Sequence, residues 1–264
     1  MIDSNKNLKV LVVGLGSISY RHRKNLKFLN KNIHITALSS SGNIQDQNID
    51  FADEVISTFD DDLNHKTDFA IVASPATFHL DYAKKLLYSK IPCLIEKPLA
   101  SNLHDAEKII RIQKETNTFV NVGYCLRYMT SAIKMKEILE QNIIGKIYNI
   151  FVNVGQFLPD WRPTKKYQNT VSANKYLGGG VLLELSHEID YIQWLFGSIK
   201  VKYAKLRSSK ELNLDVEDSA DILFELERED VLCNLHLDFL QKKAQRTCSI
   251  IGEKGRLDWD LIQN

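Results

Sequence analysis

The sequence is poor in the residues that cross-link small proteins and has no run long enough to cross a membrane. Only 4 of its 264 residues are cysteine, and none stand as a Cys-x-x-Cys pair, so neither a metal site nor a disulfide framework is expected. No stretch approaches the ~18 consecutive apolar residues of a membrane span. The polar residues before Lys9 lack the apolar core of a signal peptide. We therefore expect a cytoplasmic protein with reduced, mostly buried thiols.

The chain also has no large excess of positive or of negative charge. Lys and Arg number 34 and Asp and Glu number 33, which gives a net charge of +1. The basic face of a nucleic-acid-binding protein is therefore not predicted. Hydrophobic residues make up 44% of the chain and charged residues 25%, the usual balance of a globular protein of one large or two medium domains.

The first half of the chain alternates short apolar runs with amphipathic stretches. The predicted strands are 8–13, 33–38, 54–57, 69–73, 92–95 and 119–122, and the predicted helices are 20–29, 77–88 and 102–115. Because strands alternate with helices, we expect a doubly wound parallel sheet with crossover helices, an α/β fold.

The order of predicted elements changes after residue 123. A predicted helix at 132–141 precedes a long strand at 146–157, an irregular stretch at 158–180 and a helix at 181–196, and the predicted strands that follow are 199–207, 217–227, 231–238 and 246–251. Successive strands without intervening helices favour an open, mainly antiparallel sheet. We expect two domains, 1–123 and 124–264, the second of α+β type.

A glycine turn stands where the first strand meets the first helix. Gly14, Gly16 and Ser19 form a G-x-G-x-x-S pattern. Two glycines permit a tight turn and let backbone amides approach a pyrophosphate, and a small third residue permits close packing of helix on strand. The position after a strand that opens an alternating domain favours dinucleotide binding over a plain structural turn.

The end of the second strand bears on the choice of cofactor. An acidic residue there would grip the ribose of NAD, but residues 38–43 contain none. The hydroxyls of Ser39 and Ser40 could accept the 2′-phosphate of NADP, although no arginine stands beside them. The cofactor is therefore NAD or NADP, with a slight preference for NADP.

Two loops at the carboxyl ends of later strands should face the same ligand. The first contains Ser74, Pro75, Thr77 and His79, and its alternative interpretation is a polar cap with Thr77 as the capping residue. The second is Glu96-Lys97-Pro98. Lys97 could hold a substrate hydroxyl and stabilise the developing alkoxide, although a single loop lysine is more often solvated surface.

A glycine-rich segment precedes the predicted helix at 181–196. Glu184, His187 and Asp190 would lie on one stripe of that helix. A histidine suits proton transfer, and a neighbouring carboxylate can orient it. A metal site is disfavoured because no second histidine has helical spacing, and a core histidine satisfied by Asp190 is the remaining alternative.

Taken in order, these motifs resemble the family of glucose–fructose oxidoreductase, inositol dehydrogenase and the rhizopine-catabolism protein MocA (Gfo/Idh/MocA). The resemblance runs from Lys9 to about Asp260. It implies an N-terminal Rossmann domain and a C-terminal domain whose open sheet forms a homodimer or homotetramer. Residues 123–128 resemble the segment that links the two domains.

The motifs and the resemblance together assign residues to three roles. The catalytic candidates are Lys97, which would contact substrate and nicotinamide, His187 as general acid and base, and Glu184 as its orienting carboxylate. The cofactor would lie against Gly14, Gly16, Ser17, Ile18, Ser39, Ser40, Ser74, Pro75, Thr77, His79, Glu96, Lys97 and Arg127. The substrate would lie against Lys97, Tyr124, Trp161, Arg162, His187 and Asp190.

The resemblance implies an NAD(P)-dependent dehydrogenase that acts on a secondary alcohol or ketone of a sugar, cyclitol or sugar nucleotide. Two departures stand against the pattern: many members place an Asp four residues before the histidine, where this chain has Glu184 three before it, and relatives commonly continue beyond Asn264. The sequence is therefore interpreted either as a fragment or as a chain with a naturally shortened C-terminal domain. The rival functions are a non-catalytic cofactor-binding sensor or assembly protein and an NAD-dependent glycosidase on the same scaffold.

Overall fold

The computed structural model describes residues 7–44, 48–60, 63, 66–227 and 230–263. The chain divides into two compact units, Met1–Gly123 and Tyr124–Asn264, and each contains one six-stranded sheet. None of the helices formed by the described residues combines the length and hydropathy that a membrane crossing requires.

In the first unit, strands and helices alternate as predicted. The elements are β1 (Lys9–Val13), α1 (Ser17–Leu29), β2 (His34–Leu38), β3 (Glu54–Ile56), β4 (Phe69–Val72), α2 (His79–Tyr88), β5 (Cys93–Ile95), α3 (Leu103–Thr116) and β6 (Val120–Val122). The strand order is β3-β2-β1-β4-β5-β6, and every pairing is parallel. The prediction of a doubly wound parallel sheet is confirmed.

The sequence of β1 explains why this sheet is covered on both faces. Val10 and Val12 pack into one hydrophobic cluster, and Leu11 and Val13 pack into another. All four are at most 2% exposed. A strand buried on both faces reads as a continuous apolar run because alternate side chains point to opposite faces.

The described residues of the second unit form a mixed sheet and three α-helices. The elements are α4 (Thr130–Glu140), β7 (Ile147–Gly155), α5 (Val181–Glu184), α6 (His187–Phe196), β8 (Ile199–Arg207), β9 (Ser219–Leu226), β10 (Leu232–Asp238), β11 (Gln245–Gly252) and β12 (Gly255–Asp260). The strand order is β12-β11-β7-β10-β9-β8, and the pairing of β7 with β10 is parallel while the others are antiparallel. The prediction of an open, mainly antiparallel sheet is confirmed.

Two details of the second unit were predicted wrongly. The helix expected at 181–196 is two helices, because the backbone of Leu185 (φ −98°, ψ 30°) departs from helical values and breaks the hydrogen-bond ladder. Strand β12 was not predicted, although Leu257 and Trp259 alternate with charged residues in the manner of a half-buried strand. It pairs with β11 through a two-residue turn that joins Gly252 to Gly255.

The second sheet has one buried face and one open face. Ile150 and Val152 of β7, Leu235 of β10 and Cys248 of β11 are at most 2% exposed and belong to the core of this unit. Alternate residues of the same strands, such as Phe151 at 45% exposed, point to the open face. This alternation is typical of an antiparallel sheet that packs on one side only.

Candidate functional site

The turn between β1 and α1 is held tightly at its first glycine and is open at its second. Gly14 has φ +104°, and a Cβ atom there would lie 2.6 Å from the carbonyl oxygen of Ala73. Its N–H donates to Leu38 O at 2.7 Å. A Cβ atom at Gly16 would meet no described heavy atom within 4 Å. The fold therefore requires glycine at position 14, whereas a bound group has space beside Gly16.

The N-terminus of α1 has the features of an anion site. Ser17 and Ile18 lie in the first turn, which carries no acidic residue, and Gly16 is the N-cap without a side-chain hydrogen bond. The Ser19 hydroxyl donates to Gly16 O at 2.8 Å and fixes the turn from behind. Backbone N–H groups and the helix dipole at such an end attract phosphate oxygens.

The two serines after β2 differ in accessibility. Ser39 is 2% exposed, and its hydroxyl donates to Asn43 O at 2.6 Å. Ser40 is half-buried, and its carbonyl accepts from the Tyr82 hydroxyl at 3.4 Å. Ser40 also lines a cavity of about 520 Å³ together with Phe78, Asp81, Tyr82, Lys84, Lys85 and Tyr88. Of the two, Ser40 is the better placed to meet a ligand.

The loop after β4 contains two buried hydroxyls and a buried imidazole. Ser74 Oγ and Thr77 Oγ1 are buried and have no hydrogen-bond partner among the described residues. His79 is 1% exposed, with Nε2 2.9 Å from Ser74 O and Nδ1 3.1 Å from Pro98 O. Burial lowers the pKa of His79, although the carbonyl contacts act in the opposite direction. The imidazole thus joins the loops that follow β4 and β5.

The interpretation of Thr77 as a helix cap is wrong. A 3₁₀ turn at Ala76–Phe78 follows Pro75, and helix α2 begins only at His79. Neither segment has a side-chain hydrogen bond at its cap. The Thr77 hydroxyl is buried without this structural use, which leaves it available to a ligand.

The loop after β5 is organised around the Glu96 carboxylate. Glu96 Oε1 lies 2.6 Å from His22 Nε2 on α1, and Glu96 Oε2 accepts from the Lys97 N–H at 3.1 Å. A Cβ atom at Gly123 would lie 3.0 Å from the same carboxylate. Lys97 is half-buried and is joined to Pro98 by a cis peptide bond. The polar network fixes the backbone from which Lys97 extends.

In the second unit, the predicted stripe of Glu184, His187 and Asp190 is interrupted. Glu184 ends α5, and His187 is the first residue of α6. The residues therefore do not share one continuous helix face. Glu184 and His187 nevertheless line the same cavity, because the break between the helices lies at its wall.

The cavity at His187 has a volume of about 310 Å³ and a wall of mixed polar and apolar residues. Its described lining residues include Gln156, Trp161, Glu184, His187, Gln245 and Arg246. The Trp161 indole N–H donates to Gln156 O at 3.2 Å, and the ring lies edge-on against Phe239. A rigid aromatic wall with several hydrogen-bonding side chains suits a small polar ligand.

Tyr124 packs against the candidate base. Its ring centre lies 5.5 Å from that of His187 in an edge-to-face arrangement, and its hydroxyl donates to Ser186 Oγ at 3.4 Å. Burial raises the pKa of Tyr124, so the phenol stays protonated at neutral pH. The contact holds the His187 ring in one orientation.

Asp190 is held by Arg127. Arg127 Nε donates to Asp190 Oδ2 at 2.7 Å, and Arg127 Nη2 donates to Asp190 Oδ1 at 2.5 Å. The Asp190 side chain is 9% exposed. The alternative in which Asp190 satisfies a core histidine is therefore not what the structure shows. The Arg127–Asp190 pair ties the segment after residue 123 to α6.

One residue that the sequence predicted for the site does not line the His187 cavity, and three residues that support or line the site were not predicted. Arg162 is exposed at the end of a 3₁₀ turn and is not among the described residues that line the His187 cavity. His22, Glu188 and Arg246 were missed. No local signal marks them, since each acts through a partner 58 or more residues away.

No cluster of three or more metal-binding side chains occurs within the described ranges. All four cysteines are free, and Cys93, Cys233 and Cys248 are buried. Burial raises the pKa of Cys93 and of Cys233 to about 12, so these thiols stay protonated and unreactive.

Comparisons with known proteins agree with this architecture. The model of the "Oxidoreductase family, NAD-binding Rossmann fold" matches residues 8–124, and the model of the "GFO/IDH/MocA C-terminal domain" matches residues 132–258. Among curated proteins, Oxidoreductase P35 of Formosa agariphila is 27% identical over 192 residues, which cover 72% of this chain and 58% of the relative. The chain thus spans little more than half the length of that relative.

Solved structures show the same fold. GenD2 from gentamicin A biosynthesis, in complex with NAD, is 22% identical with a TM-score of 0.82, covering 98% of this chain and 74% of that one. The scyllo-inositol dehydrogenase of Lactobacillus casei, with bound NAD(H) and scyllo-inositol, is 23% identical with a TM-score of 0.80, covering 96% and 76%.

The two family models, which between them match nearly the whole chain, agree with the glycine turn and with the two sheets described above. The chain belongs to the Gfo/Idh/MocA oxidoreductase family, and its first unit is an NAD-binding Rossmann domain.

Proposed function

We propose that the protein is an NAD(P)-dependent dehydrogenase that transfers a hydride between the nicotinamide and a secondary alcohol or ketone of a sugar, cyclitol or sugar nucleotide. The first unit binds the dinucleotide, and the second binds the substrate. The observation that carries the proposal is the cavity at His187, whose wall also contains Glu184, Gln156 and Arg246, in a chain whose first unit is an NAD-binding domain. The scyllo-inositol bound to the Lactobacillus casei relative supports a polyol as substrate.

The residues of the first unit fit a dinucleotide. Space beside Gly16 and the acid-free first turn of α1 suit a pyrophosphate. The buried hydroxyls of Ser74 and Thr77, which have no partner among the described residues, are groups that a ligand would satisfy. His79 and Glu96 support this surface by fixing the two loops.

His187 and Lys97 have complementary roles in the proposed reaction. The bound nicotinamide supplies the acceptor for the hydride. His187 takes the proton from the substrate hydroxyl, and Tyr124 holds its ring. Lys97 stabilises the negative charge that develops on the same oxygen. Glu184, in the wall of the cavity, orients either His187 or the substrate.

We further propose that NADP is modestly preferred over NAD. Residues 38–43 contain no carboxylate that would repel a 2′-phosphate. Ser40 shares its cavity with Lys84 and Lys85, whose charges attract phosphate, although Asp81 opposes them. The ratio of kcat/KM for the two cofactors tests this point, and a clear preference for NAD would contradict it.

The open face of the second sheet supports assembly into a homodimer or homotetramer. Phe151 and Tyr203 are 45% and 58% exposed on this face. Burial of such side chains is a common driving force for association. Light scattering of the purified protein tests the assembly, and a monomer at micromolar concentration would contradict it.

The experiment that tests the function is a substrate panel. Sugars, cyclitols and sugar nucleotides are each mixed with NAD or NADP, and the absorbance of the reduced cofactor is followed. The proposal predicts turnover of at least one polyol. A protein that binds the dinucleotide but turns over no panel member would instead fit a sensor, and bond cleavage without net redox change would fit a glycosidase.

A further inference from the structure

The buried face of the second sheet carries a charged side chain beside the His187 cavity. Arg246 lies on β11 opposite Val154 of β7, whose side chain is 4% exposed in the core of this unit. The Arg246 side chain is 24% exposed and lines the cavity. A guanidinium on the core face of a sheet is costly to place there unless a buried acid pairs with it.

Glu188 is that acid. It directly follows His187 on α6 and is 0% exposed. Arg246 Nε donates to Glu188 Oε1 at 2.8 Å, and Arg246 Nη2 donates to Glu188 Oε2 at 3.2 Å. This forked geometry fixes the guanidinium plane as well as its charge. Two of the five N–H donors of Arg246 bind Glu188. Because the same side chain lines the cavity, its other N–H groups are the donors that it could offer to a ligand there.

The pairing also sets the charge of the cavity wall. Among the described lining residues, Arg246 has the permanent positive charge and Glu184 is the carboxylate. Because Glu188 neutralises Arg246, the wall offers hydrogen-bond donors without a net positive charge. Such a wall favours hydroxyl oxygens over a second carboxylate, which Glu184 would repel.

We propose that Arg246 is a further substrate-binding residue, that Glu188 is its positioning residue, and that their pairing selects an uncharged, hydroxyl-bearing ring over a carboxylated one. This inference rests on the proposed function, since it names the class of substrate that enters the same site.

The first test is Arg246→Lys, which keeps the charge and removes the fork. Binding of myo-inositol, glucose, glucuronate and galacturonate is measured by tryptophan fluorescence, because Trp161 lines the cavity, and by steady-state kinetics. Loss of the planar, forked N–H donors of the guanidinium predicts a rise of about tenfold in KM for the neutral ring, with a smaller change in kcat. An unchanged KM would overturn the inference.

The second test is Glu188→Gln, which leaves the guanidinium without its counter-charge. The preference should shift towards glucuronate by about five- to tenfold, and no shift would overturn the claim about selection. If this variant does not fold, as judged by its melting temperature, the double variant E188Q/R246Q replaces it. The double variant should bind the neutral ring more weakly without gaining the carboxylated one, and undiminished neutral binding would contradict the proposal.

Arg256→Lys is the matched control. Arg256 pairs with Asp258, and both side chains are more than half exposed on β12, so neither binding nor turnover should change. If the wild-type protein binds none of the rings and turns over no member of the wider substrate panel, the proposed function fails together with this inference. If the wild type binds and turns over a ring while Arg246→Lys behaves like it, the inference alone fails.

Discussion

The two units position their candidate site residues by different means. In the first, the residues stand in turns at the carboxyl ends of parallel strands, and backbone contacts such as that of Gly14 with Ala73 hold most of them, although the distant His22–Glu96 pair supports the Lys97 loop. In the second, ion pairs between distant segments hold them, as in Arg127–Asp190 and Arg246–Glu188. Site residues that stand in turns between consecutive elements can be located from the sequence. Site residues that are held by pairs between distant segments cannot, because the sequence does not show which residues meet.

The sharpest test of the backbone-built site compares its two glycines. Gly14→Ala should destabilise the first unit by about 2–5 kcal/mol, because positive φ and a 2.6 Å contact with Ala73 O both oppose a Cβ atom. Gly16→Ala should leave the melting temperature near that of the wild type, since no described atom lies within 4 Å. Chemical denaturation and cofactor titration measure the two properties.

The same pair of variants separates fold from binding. Gly16→Ala should weaken dinucleotide binding while the protein stays folded, because the new methyl group occupies the space beside the turn. If Gly16→Ala binds the dinucleotide as tightly as the wild type, the pyrophosphate does not lie at this turn. The claim that backbone turns build the site of the first unit would then be wrong.

The ion-pair architecture of the second unit is tested at Arg127. Arg127→Met leaves the Asp190 carboxylate, which is 9% exposed, without its forked partner, and should cost about 1–3 kcal/mol of unfolding free energy. Lys134→Met is the matched control, because Lys134 and Glu137 are 65% and 49% exposed and such pairs contribute about 0–1 kcal/mol. Equal effects of the two substitutions would show that the pair does not hold the unit.

A smaller, pH-dependent effect is expected on the open face of the second sheet. The hydrogen bond to Asp238, and after it the one to Asp221, raises the pKa of His236. Burial of the imidazole acts in the opposite direction but is outweighed. Burial would raise the pKa of Asp238, but hydrogen bonds from His236 and Gln241 outweigh it and lower that pKa to about 2. Both shifts favour the charged cluster at neutral pH.

The sign of each shift gives the pH window. The contribution of His236 is complete below its ordinary pKa of 6.5 and is lost as pH rises through its higher folded value. The contribution of Asp238 is complete above 3.8 and is lost as pH falls towards 2. Because His236 is 36% exposed, we expect about 1 kcal/mol or less. His236→Gln should flatten the stability profile above pH 6.5, and an unchanged slope would contradict this assignment.

The sequence allowed the first unit to be predicted closely. Short runs rich in apolar residues gave all six of its strands, because a buried parallel strand such as β1 is apolar over its buried length, from Val10 to Val13. The glycine turn followed from its place after that strand. The start of α1 at Ser17 rather than Tyr20 was missed, because Ser17 and Ile18 give no strong helical signal of their own.

The second unit was predicted less well. The break at Leu185 has no proline or glycine that would predict it from the sequence. The partner of Asp190 was unknown because Arg127 lies 63 residues away in sequence. The Glu188–Arg246 pair was missed for the same reason: periodicity shows which residues are polar and not which of them meet.

The most direct test of the central claim uses His187→Gln and Lys97→Met with the substrate that the panel identifies. Each variant should bind the dinucleotide with wild-type affinity and lose about 10²–10⁴-fold in kcat, the range expected when a positioned proton acceptor or charge stabiliser is removed. Wild-type kcat in His187→Gln would show that the cavity in the second unit is not where the proposed hydride transfer takes place.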